Sequence, residues 1–176
     1  MPSVRPANAT KSMPDPEINI LLSLIDQAFD HKSWHGTNLK GSIRDVHSEG
    51  ASWRPGEGRH NIWEIVVHAA FWKDVVRRKL LGEKRGSFPL KGSNWFVRPV
   101  DSGPDERAWR SDVRLLVEMH RGLRDAVAAV RGKSLGYVPV NSKVNSLALI
   151  TGIASHDLYH AGQIQLLKRL GIGGSS

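Results

Sequence analysis

The stretch Asn145–Leu170, NSLALITGIASHDLYHAGQIQLLKRL, carries Leu149, Ile153, His156, His160, Ile164 and Leu167 at steps of four, three, four, four and three. Residues so spaced share one face of an α-helix, and an apolar stripe of this kind marks a helix buried along one side. Two imidazoles, His156 and His160, stand on that stripe one turn apart, where Leu or Ile would carry less desolvation cost. The segment therefore predicts a core helix with polar chemistry built into its inner face.

The same period recurs upstream. Asp15 and Pro16 suit a helix start, and Ile18, Leu21, Leu22, Ile25 and Phe29 follow, with an end expected near Lys32. A turn at Ser33–Gly36 leads to a shorter helix expected to reach about Val46, with Leu39 and Ile43 on one side. His47–Arg59 holds Gly50, Pro55, Gly56 and Gly58 and reads as a connector. Asn61 and Glu64 then have capping-box spacing ahead of Ile62, Ile65, Val66, Ala69, Trp72, Val75, Val76 and Leu80, and Gly82 stops the run. A third long helix is expected over about Pro104–Val130, with Trp109, Val113, Leu116, His120, Leu123, Val127 and Val130 as its stripe. The last helix is expected to begin near Ser142 or Asn145 and to end before Gly171.

Four long helices and no alternating pattern of strand type predict an all-α four-helix bundle with an extra short helix and a long loop. The bundle domain is expected over 15–171, after a disordered lead over 1–14 and before a flexible tail over 172–176. The loop over 82–104 has no helical period, and it sets Phe88, Trp95 and Phe96 beside Lys84, Arg85, Lys91 and Arg98. Loops of this length are often functional. Two readings stand: the aromatics pin the loop to the bundle, or the loop walls a pocket.

Composition bounds the chemistry. With 40% apolar and 24% charged residues in 176, the chain is an ordinary globular domain long enough for a real core. It has no cysteine, which excludes disulfides, thiolate ligands and a cysteine nucleophile, and leaves His, Asp and Glu to hold any metal. The formal charge of +8 lies largely in short clusters near expected helix C-termini, such as Arg77–Lys79 and Lys168–Arg169, so nucleic acid is not the expected partner. The first residues lack the apolar centre of a signal peptide and no run of 18 apolar residues occurs, so the cytoplasm is the expected location and no membrane is involved.

His68 lies three residues after Ile65 and four before Trp72, so it too points inward. Length counting puts His68, His120, His156 and His160 at similar heights along their helices. Three imidazoles from two facing helices suit a borderline divalent metal, while a buried histidine that merely bonds within the core is the simpler alternative. His120 is open to three readings: a fourth ligand, a partner that orients a ligand, or a core residue. HExxH is absent, since Asp157 follows His156, and Asp157 is turned about 100° from the histidine face, toward an orienting role or solvent.

The segments WHGTNL (34–39), NIWEIVVHAAFW (61–72) and ASHDLYHAGQIQLL (154–167) resemble the DinB family, the DinB/YfiT-like metalloenzymes, over about residues 17–170. The resemblance implies an up-down-down-up bundle and one divalent ion, nickel, zinc, iron or manganese, on His68, His156 and His160. Relatives include thiol-dependent S-transferases or isomerases and metal-dependent hydrolases, so a low-molecular-weight thiol is a candidate cofactor; the loop over 82–104 lies outside the family's minimal pattern, so the expected small-molecule substrate is not carried over from it. Homodimers are common in the family.

The expectation is thus an enzyme, a hydrolase or a thiol S-transferase, with His120 or His35 as candidate proton relays, since histidine titrates near neutral pH. Trp34, Trp72 and Trp95 are candidate pocket walls, and Gln163, one turn beyond His160, is a candidate hydrogen-bonding neighbour. The rival is a non-catalytic metal-binding or stress-response bundle, which a closed four-ligand site would favour.

Overall fold

The computed structural model describes residues 15–86, 88–100 and 103–173. The expected lead over 1–14 and the end of the expected tail, 174–176, lie outside the described residues. Four long helices form the bundle: α1 (Pro16–Phe29), α4 (Ile62–Leu81), α5 (Glu106–Ala129) and α6 (Ser146–Gly173). Two short ones, α2 (Leu39–Ser42) and α3 (Ser48–Ser52), lie between α1 and α4, and a single 3₁₀ turn at Gly132–Ser134 precedes α6. There is no strand among the described residues.

The ends of these helices follow from local chemistry. Pro16 opens α1, but the Asp15 carboxylate caps nothing in its own helix and accepts instead from the backbone N–H of Gly132, tying α1 to the 3₁₀ turn. Asn61 caps α4 by accepting from Glu64 N at 2.8 Å, and Gly82, at φ 69°, ends it in the left-handed conformation that glycine adopts without a Cβ penalty. Asp105 caps α5 by accepting from Arg107 N.

Three boundaries differ from the sequence reading. α1 ends at Phe29 rather than near Lys32, where Asp30 N and His31 N both turn back to Asp26 O. The short helix expected to reach about Val46 ends already at Ser42, with Asp45 at φ 60° in the turn beyond it, and the expected connector holds a second short helix that starts where the Glu106 carboxylate accepts from Ser48 N at 2.8 Å. α6 runs through Gly171 instead of ending before it. There the Trp53 ring lies against the glycine, and a Cβ would sit 3.3 Å from it.

The core consists of two apolar clusters. One holds Phe29, Val66, Ala70, Leu116 and Ile164; the other holds Ile18, Ile25, Val76, Leu123 and Ile150. α1 and α6 meet the second cluster first and the first cluster later, whereas α4 and α5 run the other way. The order of burial along each helix thus gives up-down-down-up. α4 packs against α5 and α6, and α1 packs against α6 and α5.

This topology explains the long loop. α4 and α5 are neighbours that point the same way, so the chain must return along the bundle between them. A 20-residue helix is about 30 Å long, and no tight turn spans that. The described residues of the loop make the return, pinned by Phe88 and Phe96 against Phe71, with ring centroids 5.4–5.6 Å apart. The pinning role expected for its aromatics therefore holds.

Between the two clusters lies a polar belt. Asp26 on α1, Lys73 on α4, His120 on α5 and Asp157 on α6 are all buried, each at the point where its helix passes from one cluster to the other. Lys73 and Asp157, each 1% exposed, form an ion pair. Lys73 Nζ also lies 3.4 Å from His120 Nδ1 and over the Phe29 ring. Asp26 accepts from Arg124 Nε at 2.9 Å and faces His120 Nε2 at 3.7 Å. Asp157 is thus fully inward, and its rotation from the histidine face turns it to the ionic belt rather than to solvent.

Candidate metal centre

His68 on α4 and His156 and His160 on α6 meet where those two helices pack. His156 Nε2 lies 3.1 Å from His68 Nε2 and 3.1 Å from His160 Nε2. One nitrogen from each of the three lies within 4.8 Å of the others. Among the described residues no fourth His, Asp or Glu joins this group.

The outer nitrogens decide what the inner ones carry. Nδ1 of His68 lies 2.8 Å from the Asn94 carbonyl oxygen, which only accepts, so Nδ1 holds the proton and Nε2 a lone pair. Nδ1 of His160 lies 2.7 Å from Gln163 Oε1, while the Gln163 amide nitrogen donates to Tyr159 Oη. His160 therefore also turns a bare Nε2 inward. Two lone pairs thus face His156 Nε2 from two sides, and a single proton there satisfies only one of them. A cation shared by all three nitrogens satisfies the whole group.

Distances agree with that chemistry. Two nitrogens each about 2.0–2.1 Å from one ion, at angles of roughly 90–110°, stand roughly 2.9–3.4 Å apart. Both 3.1 Å separations fall inside this range. With His156 Nε2 turned to the centre, its proton belongs on Nδ1, which is buried without a hydrogen-bond partner among the described residues.

Electrostatics keeps the three rings neutral, as ligands must be. Burial lowers the pKa of His68, against the opposing bond to Asn94. Burial, then the neighbouring His160 and His68, pushes His156 down to about 3. Burial likewise takes His160 down to about 4, against its bond to Gln163.

The loop supplies the outer wall. Trp95 stacks on His68 with centroids 3.8 Å apart and on His60 at 3.6 Å, so the indole lies between two imidazoles. His60 is held by Glu64 at 2.9 Å, and Glu64 also takes a two-bond clamp from Arg54. Burial alone would raise the Glu64 carboxyl; the bonds from Arg54 and His60 outweigh it and bring it below the ordinary value. Glu64 therefore does not reach back to complete the expected capping box, because its carboxylate is committed to this anchor. Trp72 is half-buried, and its Nε1 donates to Asn94 Oδ1 at 3.0 Å.

Other sequence candidates sit elsewhere. His120 lies in the polar belt, stacked on Phe29 at 3.8 Å, and is not one of the converging histidines. Burial, then the Lys73 charge, pushes its pKa down to about 3. His35 is exposed in the turn after α1, and Trp34 beside it is 100% exposed, so Trp34 walls no pocket. The sequence reading assigns no partner role to Asn94, His60 or Lys73. Lys73 was nonetheless signalled by its spacing, four after Ala69 and three before Val76 on the buried stripe.

No helix among the described residues is long and apolar enough to cross a membrane. Comparison with curated proteins and with solved structures gives no match. The sequence model of the DinB superfamily matches residues 33–164, three-quarters of the chain, and the match contains all three converging histidines together with Asn94 and Gln163. On that match the chain belongs to the DinB superfamily.

Proposed function

We propose that the chain is a metal-dependent enzyme in which His68, His156 and His160 hold one divalent ion, nickel, zinc, iron or manganese, and that it acts on a small molecule as a hydrolase or as a thiol S-transferase. The observation that carries this reading is the convergence of three Nε2 atoms, two of them stripped of protons by Asn94 and Gln163. Three protein ligands leave a coordination position for water or substrate, as catalytic sites do, whereas structural sites close with four. That favours an enzyme over a bundle in which the ion is structural.

A divalent ion in this site lowers the pKa of a water or thiol that it binds and so supplies a hydroxide or thiolate nucleophile near neutral pH. The protein's own part is to hold the site ready. Asn94 and Gln163 retain the Nδ1 protons, and Trp95 fixes the plane of the His68 ring. His120 acts at a distance: through Lys73 and Asp157 it steadies α6 beside His156. His35 stands in the solvent-facing turn, where any relay would have to run through bulk water.

The test is elemental analysis of tag-free protein alongside His68→Ala, His156→Ala and His160→Ala. About one ion per chain is expected in the parent and a large loss in each variant; stoichiometric metal in all three variants would refute the assignment. Activity panels of esters and amides, and of electrophiles with low-molecular-weight thiols, then separate the two reactions.

A further inference from the structure

Beside the histidine cluster, between α4 and the returning loop, lies a cavity of about 680 Å³. That volume suits a small organic molecule. It shares two residues with the metal centre. Trp72 lines the cavity, and its ring meets His68 and His156 edge-on, with centroids 6.3 and 6.4 Å away. Asn94 lines it too, while its carbonyl holds His68.

The lining has two halves. Phe71, Trp72 and Phe88 offer aromatic surface, and Lys79, Arg85 and Lys91 offer positive charge. The other charges in the wall are already matched. Glu83 takes two bonds from Arg77, at 2.9 and 2.8 Å, and Arg78 donates to the buried Asp74 at 2.8 Å. Lys79, Arg85 and Lys91 have no ion-pair partner among the described residues. The cavity thus presents uncompensated cations beside an aromatic floor, and its acid is occupied.

We propose that this cavity binds the substrate's body, and that the substrate is an organic anion: its apolar part lies on Phe71, Trp72 and Phe88, and its acidic group meets Lys79, Arg85 and Lys91. The proposal rests on the metal-enzyme reading for the word substrate, but anion binding here needs no ion. Like charges gathered at a partly enclosed surface draw an anion by a field that salt weakens.

The probe is naphthalene-1-sulfonate, with neutral naphthalene-1-methanol for comparison, titrated calorimetrically into the full chain at low ionic strength. Samples are used as purified and after chelator treatment, with metal content measured on each. The anion is expected to bind at least tenfold tighter than the alcohol, in both samples. Arg85→Glu with Lys91→Glu should weaken it at least tenfold without moving the thermal midpoint. The same charge change on an exposed face of α5, Arg107→Glu with Arg114→Glu, should leave it within a few-fold. Equal binding of the alcohol, no binding of the sulfonate, or an R85E/K91E protein that binds as the parent overturns the proposal. Absence of metal with intact anion binding sinks the metal assignment and leaves the anion site standing.

Discussion

The main-chain carbonyl oxygen of Asn94 accepts a hydrogen bond from His68 Nδ1 at 2.8 Å. Asn94 reaches this position at φ 64°, in the left-handed region that Asn tolerates and β-branched residues do not. Asn94→Gly keeps that backbone and loses only the bond to Trp72; Asn94→Val strains it and displaces the carbonyl. Metal affinity, read by competition with a chromogenic chelator, is expected to stay within a few-fold in N94G. In N94V it should fall by about 10–100-fold, the usual effect of losing a partner that orients a ligand. Unchanged affinity in N94V would show that the carbonyl does not orient His68.

Gln163 does the same for His160 from within α6. Gln163→Leu removes the acceptor and is expected to weaken metal binding by about 10–100-fold. Gln163→Glu keeps an acceptor and adds negative charge, so it should bind at least as tightly as the parent. If both variants lose metal equally, the hydrogen bond is not what matters at this position.

The buried pair of Lys73 and Asp157 is predicted to be asymmetric under mutation. Lys73→Met or Asp157→Leu alone leaves a charge in the core and should cost about 3–5 kcal/mol in urea denaturation. The double variant should recover most of that loss, because apolar side chains of similar volume often replace a buried pair without penalty. Additive losses would mean the two side chains are not energetically coupled.

Acid should unfold the metal-free protein through its neutral histidines. His120 has its pKa pushed down to about 3 from 6.5, mainly by burial and then by the Lys73 charge. Above 6.5 neither folded nor unfolded chain protonates it, and its contribution is fully present. As pH falls below 6.5 the unfolded chain takes up the proton first, so stability declines until the folded value near 3 is reached. By pH 5 this one residue accounts for about 2 kcal/mol. His120→Gln should therefore lose less stability between pH 7 and pH 5 than the parent, as judged by urea midpoints. Equal losses in the two proteins would count against a neutral, buried imidazole at this position.

The long helices were legible because each carries a one-sided apolar stripe, and His68, His156 and His160 were legible because they sit on those stripes. What escaped was long-range. Nothing near Asn94 in the chain says that its carbonyl will land on His68, 26 residues away; the contact exists because parallel neighbours force the loop back along the bundle. Lysine is normally a surface residue, so the residue type of Lys73 masks the inward position that its spacing gives. The angle of Asp157 from the histidine face does not say what lies on the other side. The end of α6 is not legible because glycine usually stops a helix, whereas Gly171 makes room for Trp53.

The ionic belt across the middle of the bundle also limits how the helices can slide. Aliphatic side chains make non-directional contacts, so they oppose a helix displaced by one turn only through misfit of shape and volume. Here a displacement of α4 against α6 by one turn, about 5.4 Å, would strand Lys73 among aliphatic side chains and part it from Asp157. It would also pull His68 away from the two histidines of α6. The same misalignment is therefore penalised twice, and the charges in the core act as a key that holds the metal ligands level with one another.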